Sequence, residues 1–497
     1  MVLESLWEAF GFFTDLAFLL FVLAGTLIGV VIGIIPAIGG LVGVAVLLPF
    51  LITLTPEQAL PFIIALSAVT FTGGLITTVL VGVPGTGPNA ATLVDGYALM
   101  QKGQGGRAIG AGLTASGMGG MLSGILALGF IPLVIPMILA LRSGDMVFII
   151  LLGLAFIGVL GGKSIIRGVL SGGLGLLISF IGFQASTGLQ RFTFGSLYLY
   201  DGIPLIPFTV GLFALPTMVE LAISGGSLSK TIGTYRGMAE LFEGVRDVFH
   251  HWRLWLRSSI VGYIIGVIPG VGAEVSTFVC YGQAKHLSKH PEEFGKGSIE
   301  GVIAPESGNN GKEGGSLITT LALGIPGSAM GALILTAIRF GGLTPGPQML
   351  TEQLPLSISL VLVVIASSLV ATVICFPTAG WLVRIAYLPG ALIIPVVLVI
   401  AIAGAYVSTE FFNNIVVALV FGAMGVAMIR FSFSRPAMLL GYVMGYIFER
   451  KFWLAYGTTG PTFFMTPLSL SLLVLFFIIL FLNPLRRLFG QWRGGGR

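Results

Sequence analysis

Charge is what this chain has least of. Asp, Glu, Lys and Arg together make up 9% of its 497 residues, while 55% are hydrophobic. A soluble domain carries about 25% charge because its surface must face water. A globule of this size with so few charges cannot cover itself, so most of its surface faces lipid. Cysteine is nearly absent too. Cys280 and Cys375 lie in or beside apolar segments, which suggests neither a disulfide framework nor a metal site. The four histidines are His250, His251, His286 and His290, all in polar stretches. His286 and His290 have helical ligand spacing but lack the third partner of a zinc site. No Gly-x-Ser-x-Gly elbow and no His-Glu-x-x-His occurs. Gly161-Gly-Lys-Ser164 echoes a phosphate loop, yet Ile157 stands where its first glycine belongs. An enzyme is therefore not expected, nor a cofactor. A net charge of +5 reflects basic residues flanking apolar segments and makes no case for nucleic-acid binding. The acidic start, Met1-Val-Leu-Glu-Ser-Leu-Trp-Glu8, lacks the basic region of a cleavable signal peptide.

Long apolar runs take the place of charge. Leu16–Ile35, Leu356–Phe376, Ile385–Ala403 and Leu468–Leu482 are examples. Read as spans of about 20 residues, such runs predict an all-α polytopic membrane protein with roughly ten to twelve transmembrane helices. Broken or re-entrant segments accompany them. Glycine is abundant, at 73 residues, and small-xxx-small spacing recurs at Gly25/Gly29/Gly33, Gly106/Gly110, Gly262/Gly266 and Gly441/Gly445. In lipid such spacing lets helix backbones approach closely.

One unusual string is written twice. Gly73-Gly-Leu-Ile-Thr-Thr-Val-Leu-Val-Gly-Val-Pro-Gly-Thr86 returns as Gly315-Ser-Leu-Ile-Thr-Thr-Leu-Ala-Leu-Gly-Ile-Pro-Gly-Ser328. A second element precedes each copy: Gly29, Gly33, Pro36 and Gly39, then Gly262, Gly266, Pro269 and Gly272. An ordered duplication with Gly/Pro breaks at matching positions points to a transporter built from two repeats, with its binding site at the breaks. The expected organisation is a first transmembrane repeat at 1–223, an amphipathic cytoplasmic linker at 224–257, a second repeat at 258–484 and a basic cytoplasmic tail at 485–497. Charge supports opposite entry for the two copies. The tail carries Arg486, Arg487, Arg493 and Arg497 without an acid, whereas the N-terminus carries Glu4, Glu8 and Asp15 without a base. In the linker, Phe242, Val245, Val248, Phe249, Trp252 and Trp255 predict an interfacial helix. The lysines Lys285, Lys289 and Lys296 favour a re-entrant hairpin over Ser258–Cys280, turning at Pro269-Gly270.

Proline removes a helical hydrogen bond and glycine frees the backbone beside it. Unwound backbone at membrane depth is tolerated only where protein or a water-filled cavity covers it. Its carbonyls suit Na⁺, and fresh helix N-termini suit an anion. Candidate anion ligands are Thr77, Thr78, Pro84, Gly85, Thr86 and Asn89 in the first copy. Thr319, Thr320, Pro326, Gly327 and Ser328 answer them in the second, joined by the neutral amides Asn309 and Asn310. Two such half-sites suit a di- or tricarboxylate. Candidate ion-coupling positions are Pro36, Gly39, Pro269, Gly270 and Gly272. Glu306 reads either as a buried carboxylate for a cation or proton, or as a solvated loop residue beside Lys312 and Glu313. Asp95 has the same two readings, and Glu274 is a third candidate for a buried, ion-coordinating acid.

These motifs resemble the TctA family, the large membrane subunit of the tripartite tricarboxylate transporters. The resemblance runs through Val83-Pro-Gly-Thr86, Thr92-Leu-Val-Asp-Gly-Tyr97, Ile268-Pro-Gly-Val-Gly272, Ala304-Pro-Glu-Ser307 with Asn309-Asn310, Gly324-Ile-Pro-Gly-Ser328 and Thr344-Pro-Gly-Pro347. Ala37 after Pro36, and Gly308 and Gly311 around the Asn pair, depart from the usual family residues. The resemblance implies secondary, Na⁺- or H⁺-driven import of citrate-like anions across a bacterial inner membrane. It also implies a small TctB-like membrane subunit and a TctC-like periplasmic solute-binding protein. A non-coupled anion channel or exporter on the same repeat is the alternative reading.

Overall fold

The computed structural model describes residues 2–36, 38–160, 164–184, 186–223 and 237–479. Ala37, the 161–163 stretch of the phosphate-loop echo, residues 224–236 of the linker and the tail at 485–497 lie outside the described residues. The described chain is helical almost throughout, with one short strand pair, Gly182–Phe183 against Gln190–Arg191. In lipid every backbone amide needs an internal partner, and a helix supplies one within its own segment. The protein is an all-α polytopic membrane protein.

Seven helices among the described residues are long and apolar enough to cross a membrane: Leu16–Ile34, Pro56–Val81, Gly105–Ala140, Leu205–Ile223, Leu354–Tyr387, Gly390–Val407 and Asn413–Arg430. Arg435–Thr462 and Pro467–Ile479, bent by 108°, make an eighth if taken as one span. The sequence runs predicted more. The difference lies in apolar segments divided by glycine and proline into helices of 10–17 residues, among them Gly39–Leu51 and Ala329–Phe340.

The chain divides into two compact units. One comprises Met1–Ile138, Pro204–Ile268 and Gly272–Ala427, so it draws on both sequence repeats. Its helices recur in order. The first copy has α1 (Leu16–Ile34), α2 (Gly39–Leu51), α3 (Pro56–Val81), α4 (Ala90–Gln101) and α5 (Gly105–Ala140). The second has α6 (Trp252–Val267), α7 (Gly272–Leu287), α8 (Glu300–Gly311), α9 (Glu313–Leu323), α10 (Ala329–Phe340) and α11 (Leu354–Leu382). Helix α6 thus starts at Trp252 rather than at 258. The polar run 304–315, which has the composition of a loop, is helical except at Lys312, where α8 gives way to α9.

Helix α3 starts on a capping box, with Thr55 and Gln58 satisfying each other's backbone and Pro56 opening the first turn. It ends at Gly82, whose φ of 75° is left-handed; α9 ends the same way at Gly324, φ 63°. Close packing repeats as well. A Cβ built at Gly33 of α1 would fall on the carbonyl oxygen of Thr70 in α3, and one at Gly73 on that of Val30. In the second copy Gly266 meets the Lys312 carbonyl and Gly315 the Tyr263 carbonyl in the same way. Helices α6 and α7 form a hairpin, because Cys280 Sγ lies 3.4 Å from the Ser258 carbonyl oxygen and both are equidistant from Pro269.

The linker's amphipathic segment is the helix Met238–His250. Leu241 and Val248 are buried, while Phe242, Phe249 and Trp252 are exposed. Its inner face is fixed to α5 by the Arg107–Asp247 pair, with Nε–Oδ2 2.6 Å and Nη2–Oδ1 3.0 Å, and by Glu240 accepting from the Gly106 amide. The second unit comprises Leu139–Ile203, Pro269–Val271 and the chain from Met428 onward. In it the helices Ile165–Ile178 and Arg435–Thr459 meet backbone to backbone at Gly175 and Gly441. Asp145 accepts from the hydroxyls of Thr466 and Ser469, and Arg191 makes a two-pronged pair with Glu449.

Candidate functional site

Each copy has two proline breaks, and the threonine hydrogen bonds that hold them match between the copies. Where α1 ends, the turn at Pro36 leaves the Ile34 carbonyl without its helical donor, and Thr77 Oγ1 supplies one at 2.6 Å. Where α6 ends, Thr319 Oγ1 does the same for Val267 at 2.8 Å. The next threonine holds the second break. Thr78 Oγ1 donates to Gly74 O at 2.7 Å and accepts from Gly85 N at 3.2 Å. Thr320 Oγ1 donates to Ser316 O at 2.7 Å and accepts from Gly327 N at 3.2 Å. These four hydroxyls, expected among the anion ligands, hold the chain at its turns. Pro84-Gly85 and Pro326-Gly327 are the turns themselves. Gly39 and Gly272, at matching places, adopt left-handed φ of 60° and 77°, as does Gly270 at 77°. In this fold Thr78→Val or Thr320→Val leaves a buried glycine amide without an acceptor. Each is expected to lower stability by about 1–3 kcal/mol, read by thermal unfolding in detergent.

Beyond the first turn the polar side chains converge across the two copies. Thr86 Oγ1 donates to Asn89 Oδ1 at 2.5 Å, and Asn89 Nδ2 donates to the Phe71 carbonyl and to Glu306 Oε1, both at 3.1 Å. Thr92 Oγ1, one helical turn after Asn89, donates to the same Glu306 oxygen at 2.6 Å. Glu306 is fully buried in α8, which decides against the solvated-loop reading. Among the described residues its Oε2 has no well-formed hydrogen bond. Asn310 Nδ2 donates to Thr72 Oγ1 at 2.9 Å, and Thr72 is 3.2 Å from Ser116. The Asn310 oxygen and both polar atoms of Asn309 lack a well-formed hydrogen bond, although Asn309 neighbours the Glu306 carboxylate. The described residues of the Pro36–Gly39 break contribute no side chain to these hydrogen bonds. A carboxylate removed from water is costly unless paired. Here one oxygen has two donors and the other is open to a proton or a cation.

At the second turn Ser328 caps α10 by accepting from Gly331 N at 3.1 Å, with Ser316 Oγ 3.4 Å away. Two expected acids have other places. Asp95 is buried and accepts from the amides of Gly295, Gly297 and Ser298 at 2.8–2.9 Å and from Tyr281 OH at 2.8 Å. It ties α4 to the loop before α8, and its acceptors are occupied. Glu274, the third candidate for a buried acid, is exposed in the first turn of α7, where a helix N-terminus favours negative charge. Thr92 and Thr72 belong to the cluster but were not singled out from sequence. The spacing of Asn89 and Thr92, three apart on one helix face, was the signal available for Thr92.

The pattern of the tripartite tricarboxylate transporter TctA family matches residues 19–440, which include every member of this cluster. The chain belongs to the TctA family. A TctA-family chain is a tricarboxylate transporter subunit, in keeping with the many apolar helices found here. Two proteins of Agrobacterium vitis are similar to it, neither with an assigned activity. An uncharacterised 52.8 kDa protein from the TAR-I ttuC′ 3′ region is 30% identical over 472 residues, covering 90% of this chain and 89% of that protein. An uncharacterised protein from the TAR-II ttuC′ 3′ region is 33% identical over 215 residues, covering 43% of this chain and 89% of that protein. No solved structure matches this TctA-family chain.

Proposed function

We propose that this TctA-family chain is the permease subunit of a secondary active importer. It carries a citrate-like di- or tricarboxylate inward across a bacterial inner membrane, driven by Na⁺ or H⁺. A small membrane subunit and a periplasmic solute-binding protein complete the system, and the two copies are inverted with respect to each other. The observation that carries the reading is Glu306. A carboxylate with one oxygen held by Asn89 and Thr92 of the first copy, and the other oxygen open, is poised to take up a positive charge. Loading that oxygen changes the charge at the place where the copies meet, which couples ion occupancy to their arrangement. The adjacent amides of Asn309 and Asn310 supply neutral donors for substrate carboxylates.

The test is uptake of labelled succinate, malate and citrate by cells making the chain with its candidate small subunit and binding protein. Accumulation is expected to require a Na⁺ or proton gradient. Uptake of any of these anions down its own gradient, indifferent to both cations, identifies a non-coupled channel instead. Asn309→Ala is the sharpest side-chain probe because, among the described residues, that amide makes no well-formed hydrogen bond, although it neighbours Glu306. It is expected to lower uptake roughly tenfold with unchanged membrane abundance; wild-type uptake moves the anion site elsewhere.

A further inference from the structure

One buried charge pair stands apart from the Glu306 cluster. Lys312 Nζ lies 2.6 Å from Glu313 Oε1, and the two side chains are 1% and 8% exposed. Neighbouring residues on a continuous helix do not face each other. Lys312 and Glu313 do so at the junction of α8 and α9. The first copy has no counterpart, since the equivalent positions are Thr70 and Phe71. Lys312 is also the one Lys or Arg that is buried among the described residues. Its ammonium stands 5.2 Å from the centre of the Phe71 ring.

Glu313 lines a small cavity with Ser67, Ser316, Thr320 and Ser328, all of them buried. The cavity has room for about one water-sized particle. A carboxylate and several hydroxyl oxygens around a space of that size make a donor set for a small, hard cation. The Thr320 hydroxyl is already committed to Ser316 O and Gly327 N, and the Ser328 oxygen accepts from Gly331 N and Ser316 Oγ, which leaves Glu313, Ser67 and Ser316.

We propose that the Lys312–Glu313 pair is a placeholder opened jointly by the substrate anion and a cation separate from the charge taken up at Glu306. The cation takes Glu313 and the serine hydroxyls; a substrate carboxylate takes Lys312. The inference rests on the reading of the chain as a cation-coupled carboxylate importer, and it adds the place where the anion's charge is met. Charge balance gives the reason. The closed pair is neutral. A cation alone would leave Lys312 buried and unpaired, and an anion alone would do so to Glu313; an unpaired buried charge is strongly unfavourable. Both ligands together restore neutrality. Each therefore favours binding of the other, and by the same factor. Asn309, three residues before Lys312 and without a well-formed hydrogen bond, stands near to share the carboxylate.

The experiment uses the full chain with its small membrane subunit and binding protein in proteoliposomes. Probes are ²²Na⁺ and labelled succinate, malate and citrate, with Na⁺ and proton gradients applied separately. In the wild type the cation is expected to strengthen anion binding by roughly tenfold or more. Glu313→Gln is expected to keep anion binding and lose its cation dependence. The neutral double variant Lys312→Met with Glu313→Gln removes both charges, so a merely structural pair would tolerate it. Its accumulation is expected to fall at least about tenfold at wild-type thermal stability. The swapped variant, Lys312→Glu with Glu313→Lys, restores an ion pair but moves the carboxylate away from the serines, and is expected to be equally inactive. Cation-dependent accumulation at the wild-type level in the double or the swapped variant overturns the placeholder and leaves the importer standing. A wild-type chain whose uptake ignores both cations overturns the importer reading and this inference with it.

Discussion

Leucine at Gly33 or at Gly266 is expected to lower the stability of the folded protein by about 2–4 kcal/mol. At each position a Cβ would fall on a carbonyl oxygen of the facing helix, Thr70 in one copy and Lys312 in the other. Backbone cannot rotate aside as a side chain does. The helices must part, and parting them breaks the hydrogen bond from Thr77 to Ile34 or from Thr319 to Val267, the residue directly after each glycine. Overpacking in a well-packed interior costs about 1–3 kcal/mol, and the lost hydrogen bond about 1 kcal/mol more. Domains are stable by only about 5–15 kcal/mol, so the expected loss is a large share. Size-exclusion profiles and thermal unfolding of detergent extracts report it. Leucine at Gly129, where nothing lies within 4 Å of an added Cβ, is the control and is expected to stay within about 0.5 kcal/mol of wild type. Equal behaviour of Gly33→Leu and Gly129→Leu would contradict the packing account.

The second large effect falls on transport rather than folding. Glu306→Gln keeps an oxygen to accept from Asn89 Nδ2 and Thr92 Oγ1, so the variant is expected to fold at near wild-type stability. It can no longer change charge. Uptake is expected to fall by roughly 100-fold, about 2.7 kcal/mol in the barrier, and what remains should ignore the cation gradient. Glu306→Leu separates the two roles. It leaves the Thr92 hydroxyl and one Asn89 donor buried without their acceptor, at about 1–3 kcal/mol each. That variant should lose stability as well as uptake. If Glu306→Gln instead transports with normal cation dependence, Glu306 is a structural carboxylate and the coupling charge sits elsewhere.

Much of the duplicated architecture was legible in the order of residues. The two spacings, 233 residues between the first elements and 242 between the second, are carried into bonds. Ile34 and Val267, 233 apart, accept from Thr77 and Thr319, 242 apart. Glycines at matched spacing meet matched carbonyls for the same reason. Proline and glycine act on the local backbone wherever they stand, so their consequences can be read before the fold is known.

Roles of side chains were less legible. Threonines beside a Pro-Gly break suggested ligands, since free hydroxyls at a helix end bind anions readily. Their hydroxyls instead satisfy the very carbonyls and amides that the breaks release. Deciding between those uses requires knowing what lies within 3 Å, and pattern alone does not carry that. The polar run around Glu306 left two readings open. Its composition reads as a solvated loop, yet its neighbours across space, Asn89, Thr92 and Thr72, come from the other copy and let it be buried as helix.

The sequence by itself determined a lipid-facing, helical chain, duplicated and broken at Pro36, Pro84, Pro269 and Pro326, because hydrophobicity and backbone restriction are local properties. It also determined the family, through strings specific enough to be matched along most of the chain. Only the tertiary structure decided which polar groups are spent on the backbone and which remain open. It paired Lys312 with Glu313 across a helix interruption, joined Glu306 to the first copy and left Glu274 at the surface. Burial and pairing are relations between segments distant in sequence, and they exist only once those segments have packed.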